Sequence, residues 1–171
     1  MLGYSNNCLI RFCVFTLMLA TFGVSAQDQI ISASFSNSEI LPAESSTVVV
    51  NYSSTNEEPT VGLGLRLHFD SSTLFCDETA ITDLLAYSSM GLQLSDDVDD
   101  YDNDADTDKY LNTAWASING LWPLNYTSPI TLYRLPCTAL EGFTGTTIRF
   151  SRSSGASSFG FVGDSITVSK G

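Results

Sequence analysis

The chain is poor in positive charge. It holds seven Lys and Arg against 19 Asp and Glu, a single His, and a formal net charge of −12. Such a surface offers no electrostatic footprint for nucleic acid, and anionic lipid would repel it. Long apolar runs are scarce too. The run Phe12 to Gly23 is about a dozen residues, short of the about 20 that a membrane-spanning helix needs. Catalytic signatures are missing: there is no G-x-S-x-G elbow, no H-E-x-x-H and no glycine-rich phosphate loop. With His68 as the only histidine, a Ser-His-Asp arrangement could use no other, and no serine stands in a marked context. A glycosidase needs a carboxyl whose environment raises its pKa, and an acidic run in water does not supply one. The expectation is therefore a protein that is not an enzyme, with a glycoside hydrolase as the weaker alternative.

What is present at the N-terminus is an export signal. Met1 to Arg11 is polar with one basic side chain, Phe12 to Gly23 is apolar, and Val24-Ser25-Ala26 offers small or short residues for a signal peptidase. Residues 1–26 are expected to be removed, leaving 27–171 as one domain, secreted to the extracellular space or the periplasm. No Cys stands directly after the apolar run, so a lipid-modified terminus is not expected. All the acidic residues, and every basic one except Arg11, lie in the remaining part. Cys8 and Cys13 leave with the signal. Cys76 and Cys137 remain, and an even pair in an exported chain suggests a disulfide, the alternative being two buried thiols. Its loop of about 60 residues would contribute about 4 kcal/mol in the chain-entropy account.

Beyond the signal, apolar residues recur at period two. Ile31, Ala33 and Phe35 alternate with serines, and Thr47 to Tyr52 is a β-branched run. Leu63, Leu65, Leu67 and Phe69 alternate with Gly64, Arg66, His68 and Asp70. Lys109 to Trp115, Thr131 to Leu135, Thr146 to Ser151, Phe159 to Val162 and Ser165 to Val168 are further strand candidates. Turn signals such as Leu41-Pro42, Glu58-Pro59 and Gly163-Asp164 separate them. Many short strands at this spacing argue an all-β sandwich or barrel. One segment departs from the pattern: Ile81, Leu84 and Leu85 at helical spacing, with Asp77 as N-cap, predict a short helix over 77–87. The alternation along Val61 to Asp70 puts the large apolar side chains in the core and Arg66, His68 and Asp70 on the other face, where the single histidine reads as a solvent-facing strand residue, the alternative being a ligand or general base.

Eight aspartates fall between Asp96 and Asp108. Their repulsion would keep the segment extended unless a cation sat among them. Calcium, a hard ion with 6 to 8 oxygen ligands, is suited and available outside the cell. Asp102-Asn103-Asp104-Ala105-Asp106 opens like an EF-hand loop, but Thr107 stands where the glycine should be and Thr113 where the glutamate should be. The expected ligands are Asp102, Asp104, Asp106 and Asp108 in a loop of another design; the alternative is a solvated acidic loop. Both tryptophans follow directly. Trp115, alternating within a strand, is expected in the core. Trp122 and Tyr126 could form a platform on which sugar rings stack, or could pack a loop onto the sandwich. The sequons Asn51-Tyr52-Ser53 and Asn125-Tyr126-Thr127 matter only in a host that glycosylates.

Taken together, the stretches LPAESSTVVVNY, VGLGLRLHFDSSTL, TAWAS, PITLYRL and GFTGTTIRFS, in that order from about Ile31 to Val168, resemble the cohesin-like domains. These share a sandwich with some bacterial carbohydrate-binding modules. The resemblance implies an antiparallel, jelly-roll-like β-sandwich of about nine strands that binds a dockerin-like protein partner through one sheet face; the related modules imply polysaccharide binding. The Cys76/Cys137 pair and the acidic insertion before Lys109 depart from the pattern, and the insertion puts ordinary dockerin binding in doubt. The expected function is an exported binding module, calcium-assisted, for protein–protein or polysaccharide attachment. The alternatives are a calcium-dependent carbohydrate-binding module and an adhesion or structural domain.

Overall fold

The computed structural model describes residues 27–83, 85, 92–123, 127–155 and 159–171. The expected export signal, Asn125 and Tyr126 lie outside them. The described residues form eleven strands: β1 (Gln27–Phe35), β2 (Glu39–Ile40), β3 (Ser45–Ser54), β4 (Gly62–Phe69), β5 (Leu74–Cys76), β6 (Gln93–Asp96), β7 (Lys109–Ala116), β8 (Ile130–Ala139), β9 (Gly145–Gly155), β10 (Phe159–Gly163) and β11 (Ile166–Lys170). They make two sheets, in the orders β10-β1-β3-β8-β5 and β2-β11-β9-β4-β7-β6. No helix among the described residues is long and apolar enough to cross a membrane.

The all-β sandwich is as expected, with three differences. The strand number exceeds the implied nine, and the strands missed from sequence, β2, β5 and β6, span two to four residues and all lie at sheet edges. So short a segment carries no readable alternation. The pairing is not antiparallel throughout either. β1 pairs with β10, and β2 with β11, in parallel. In both cases the chain has crossed from one sheet to the other, so the crossing rather than a hairpin sets the direction. The third difference is at 77–87, of which 77–83 and 85 are described: among these residues the predicted helix does not form. Asp77 does cap, its carboxylate accepting from the Thr79 amide at 2.9 Å. The turn stops at Glu78–Ala80, and Ile81 is back in extended backbone. Thr82 then bridges to Arg134, and the Leu85 amide donates to the Leu132 carbonyl at 2.8 Å. β5 is too short to cover that side of β8, so the segment completes the sheet edge. Those bonds win over a short helix, whose nucleation is costly.

The core is the space between the sheets. Ile31, Val48, Val50, Leu132 and Leu135 from one face Leu63, Leu65, Leu67, Leu111 and Ile148 from the other, all fully buried or nearly so. Each such side chain contributes about 1.5–3 kcal/mol on burial. Trp115 takes its expected core place, stacked on Tyr133 at 6.2 Å with its indole N–H on the Leu85 carbonyl. Cys76 and Cys137 form the disulfide, opposite each other across β5 and β8. Gly62 opens β4 at φ 141°, where a Cβ would meet the Trp115 carbonyl oxygen at 2.1 Å, so no larger residue fits this pairing.

Candidate functional site

β4 lies between β9 and β7 near the middle of its sheet. Its inner side chains meet the core, and its outer ones should meet water. They do not. The acidic segment leaves β6, folds back over the sheet and re-enters at β7, with Asp96 paired to Lys109 and the Asp97 amide donating to the Asp108 carbonyl at 2.8 Å. Residues 97–108 thus form a cap over the outer end of β4, and the His68 side chain is 0 % exposed. The expected solvent-facing His68 is corrected: the acidic segment itself covers it.

Within the cap the aspartates serve as local fasteners. The Asp97 Oδ1 accepts from the Tyr101 amide, and Asp104 Oδ1 from the Asp106 amide, both at 3.2 Å. Asp100 and Asn103 take positive φ, which short polar side chains tolerate better than most. Cations on the strands below offset part of the repulsion. Arg149 of β9 pairs with Asp104, Lys109 of β7 with Asp96 at 2.6 Å, and the Arg66 guanidinium lies 3.9 Å over the Tyr101 ring. The Arg149 guanidinium, helped by the Asp106 amide, holds the Asp104 carboxyl below the usual carboxylate range. Burial pulls Asp108 upward, but the Ser71 hydroxyl and amide, at 2.6 and 2.7 Å, outweigh it and leave the group below its ordinary value. Asp99 accepts the Tyr101 hydroxyl proton and pushes that phenol up.

Beneath the cap, His68 Nδ1 is 2.7 Å from Asp97 Oδ2, and its Nε2 is 2.7 Å from Ser151 Oγ on β9. Asp102 Oδ1 lies 3.8 Å from the same Nδ1. The order Ser–His–Asp has the connectivity of a nucleophilic relay. The His68 and Asp97 side chains are both 0 % exposed, and the pair ties the cap to the sheet.

The four aspartates expected to bind calcium go separate ways. Asp102 turns inward, accepting from the Thr107 hydroxyl; Asp104 meets Arg149; Asp106 is exposed; Asp108 meets Ser71. Among the described residues, the metal-ligating side chains brought together are His68, Asp97 and Asp102. Asp102 alone is common to both sets. Sequence reasoning offered His68 as a ligand or a solvent-facing strand residue without joining it to the acidic run, and it missed Asp97. The available signal was that β4 and Lys109 to Trp115 read as strands, so an acidic run next to the latter could reach back over the former.

Trp122 is also corrected. It is 3 % exposed, with Tyr52 at 4.6 Å and Trp115 at 6.1 Å between ring centroids. The bridge between Thr60 and Trp122 draws it inward, and it cannot serve as an exposed sugar platform. The described apolar side chains left at the surface include Val98, 87 % exposed, and Tyr101, 41 % exposed, both on the cap. Val61, Ile118 and Leu121 form a second exposed group near the Trp122 loop.

No protein-family model matches the chain, and no curated protein matches it. Solved structures do. A type II cohesin domain from the cellulosome of Acetivibrio cellulolyticus superposes with TM-score 0.54 at 13% identity, over 82% of this chain and 95% of that one. The cohesin module of a Clostridium perfringens family 33 glycoside hydrolase gives 0.52 at 10% identity, over 84% and 97%. A type I cohesin from Pseudobacteroides cellulosolvens gives 0.50 at 9% identity, over 85% and 92%. The fold is a cohesin-like β-sandwich.

Proposed function

We propose that this cohesin-like sandwich is an exported, non-catalytic binding module that docks a protein partner on the face bearing the acidic cap. The observation that carries this reading is the cap itself. It places exposed Val98 and Tyr101 among exposed aspartates, on a fold whose solved counterparts are cohesin modules. An apolar contact ringed by one sign of charge suits a partner with a complementary basic surface around an apolar anchor. Burial of the His68–Asp97 relay supports the non-catalytic reading. Burial of Trp122 takes away the residue around which a sugar-binding platform was expected. Export through residues 1–26 belongs to the same reading, and N-terminal sequencing of the released protein should begin after Ala26.

The test is capture from the host's secreted proteins on immobilised residues 27–171, run in chelator. The expected result is one protein retained, released by salt, and lost with Val98→Lys. Firm retention on a polysaccharide panel with no protein captured overturns it.

A further inference from the structure

We propose that His68, Asp97 and Asp102 form a binding site for a first-row divalent cation, of which zinc is the best suited. Their donor atoms all lie within 4.8 Å of one another. His68 Nδ1 is 2.7 Å from Asp97 Oδ2 and 3.8 Å from Asp102 Oδ1. The three side chains are 0 %, 0 % and 2 % exposed, so this is not a surface acidic patch.

Two carboxyl groups and one imidazole shut from water in one place are a costly set to bury without a cation among them. The proton count points the same way. Asp97 has the Tyr101 amide on one oxygen and His68 on the other. For Asp102 the hydrogen-bond donor among the described residues is the Thr107 hydroxyl. That hydroxyl has a single proton, yet it lies 3.0 and 2.9 Å from the two Asp102 oxygens and 2.9 Å from the Asp104 carbonyl. A carboxylate shut from water and so thinly served is unfavourable unless a positive charge joins it.

The His68 ring is held for the task. With the ring proton on Nδ1 the histidine faces Asp97 as a donor; a cation at Nδ1 would select the other tautomer, in which Nε2–H donates to Ser151 Oγ and the Nδ1 lone pair points toward both aspartates. A metal-ligating histidine is commonly fixed in this way, by a hydrogen bond from its other ring nitrogen. The donor set selects the ion. Calcium takes oxygen ligands, whereas a mixed imidazole and carboxylate set suits zinc and its neighbours in the first row. The cation would tie cap residues Asp97 and Asp102 to β4. The docking reading does not depend on it.

Residues 27–171 stripped with chelator and dialysed provide the test. Zinc is titrated by calorimetry, melting is followed with and without it, and cobalt serves as a spectroscopic reporter. The expected result is about one zinc per chain, a higher melting temperature, and a cobalt absorption band of a low-coordinate nitrogen and oxygen site. Calcium at the same concentration should do neither. Asp102→Asn, which can still accept from Thr107, should weaken zinc by more than the 10–100-fold that outer-shell changes cost. Asp99→Asn, on the exposed side, should leave it unchanged. Absence of zinc heat and stabilisation in the wild type, or equal zinc binding by Asp102→Asn, overturns the proposal. Because partner capture is run in chelator, a failure here leaves the docking reading standing.

Discussion

The two faces of β4 are covered by different physics. On the inner face, Leu63, Leu65, Leu67 and Phe69 meet a facing sheet of Val and Leu. On the outer face, Arg66 and His68 meet a loop made largely of aspartate. The first contact is apolar, without directional bonds, and insensitive to salt and proton. The second rests on hydrogen bonds, ion pairs and a cation over an aromatic ring. Burial is therefore equal at Leu67 and His68, while what would undo it is not. A core built from the sheets can hold the fold, and a polar cap on its back can be altered without dissolving it.

The largest effect should come from His68→Leu, which removes the partner of Asp97 and leaves that carboxylate buried and unpaired. A loss of about 3–5 kcal/mol in denaturant unfolding is expected. A loss under about 1 kcal/mol, the size of an exposed ion pair, would break the contrast between the faces. Leu67→Ala comes next, at about 2–5 kcal/mol, from a cavity between the sheets. Its loss should not vary with salt; a salt-dependent loss would show that the two faces are coupled.

The smallest effect concerns the rim of the cap. Arg149→Ala removes the partner of Asp104, a half-buried pair at the rim, and should cost about 1 kcal/mol. Because the folded state holds Asp104 and Asp108 below their ordinary values, their contribution is present above the usual carboxylate range and lost as pH falls through it. Between about pH 6 and about pH 3, nuclear magnetic resonance should show Tyr101 shifting while Trp115 does not. Concerted movement of both would show that the cap and core unfold as one unit.

Much of the sandwich was legible because alternation is local. Four apolar residues at period two in Leu63 to Phe69 can bury only one face of a strand, whatever lies opposite. The disulfide was legible for a related reason, since few cysteines leave few pairings. The helix over 77–87 was misread because Ile81 and Leu85 carry the right spacing but the uncovered side of β8 offers backbone partners. Trp122 was open to both readings, because an aromatic ring in a loop gives no sign of which way the loop turns. The candidate calcium ligands were chosen as consecutive alternate residues, whereas the cluster that formed joins two cap residues to a strand about 30 positions earlier.

The sequence by itself determined the strands, the paired cysteines and the acidity, because each depends on side chains a few residues apart or on composition. Tertiary structure alone decided that the poverty in positive charge would be met by placement. Arg66, His68, Lys109 and Arg149 stand on three neighbouring strands beneath the one loop that needs them. Such a match is made across the sheet, where spacing along the chain carries no information.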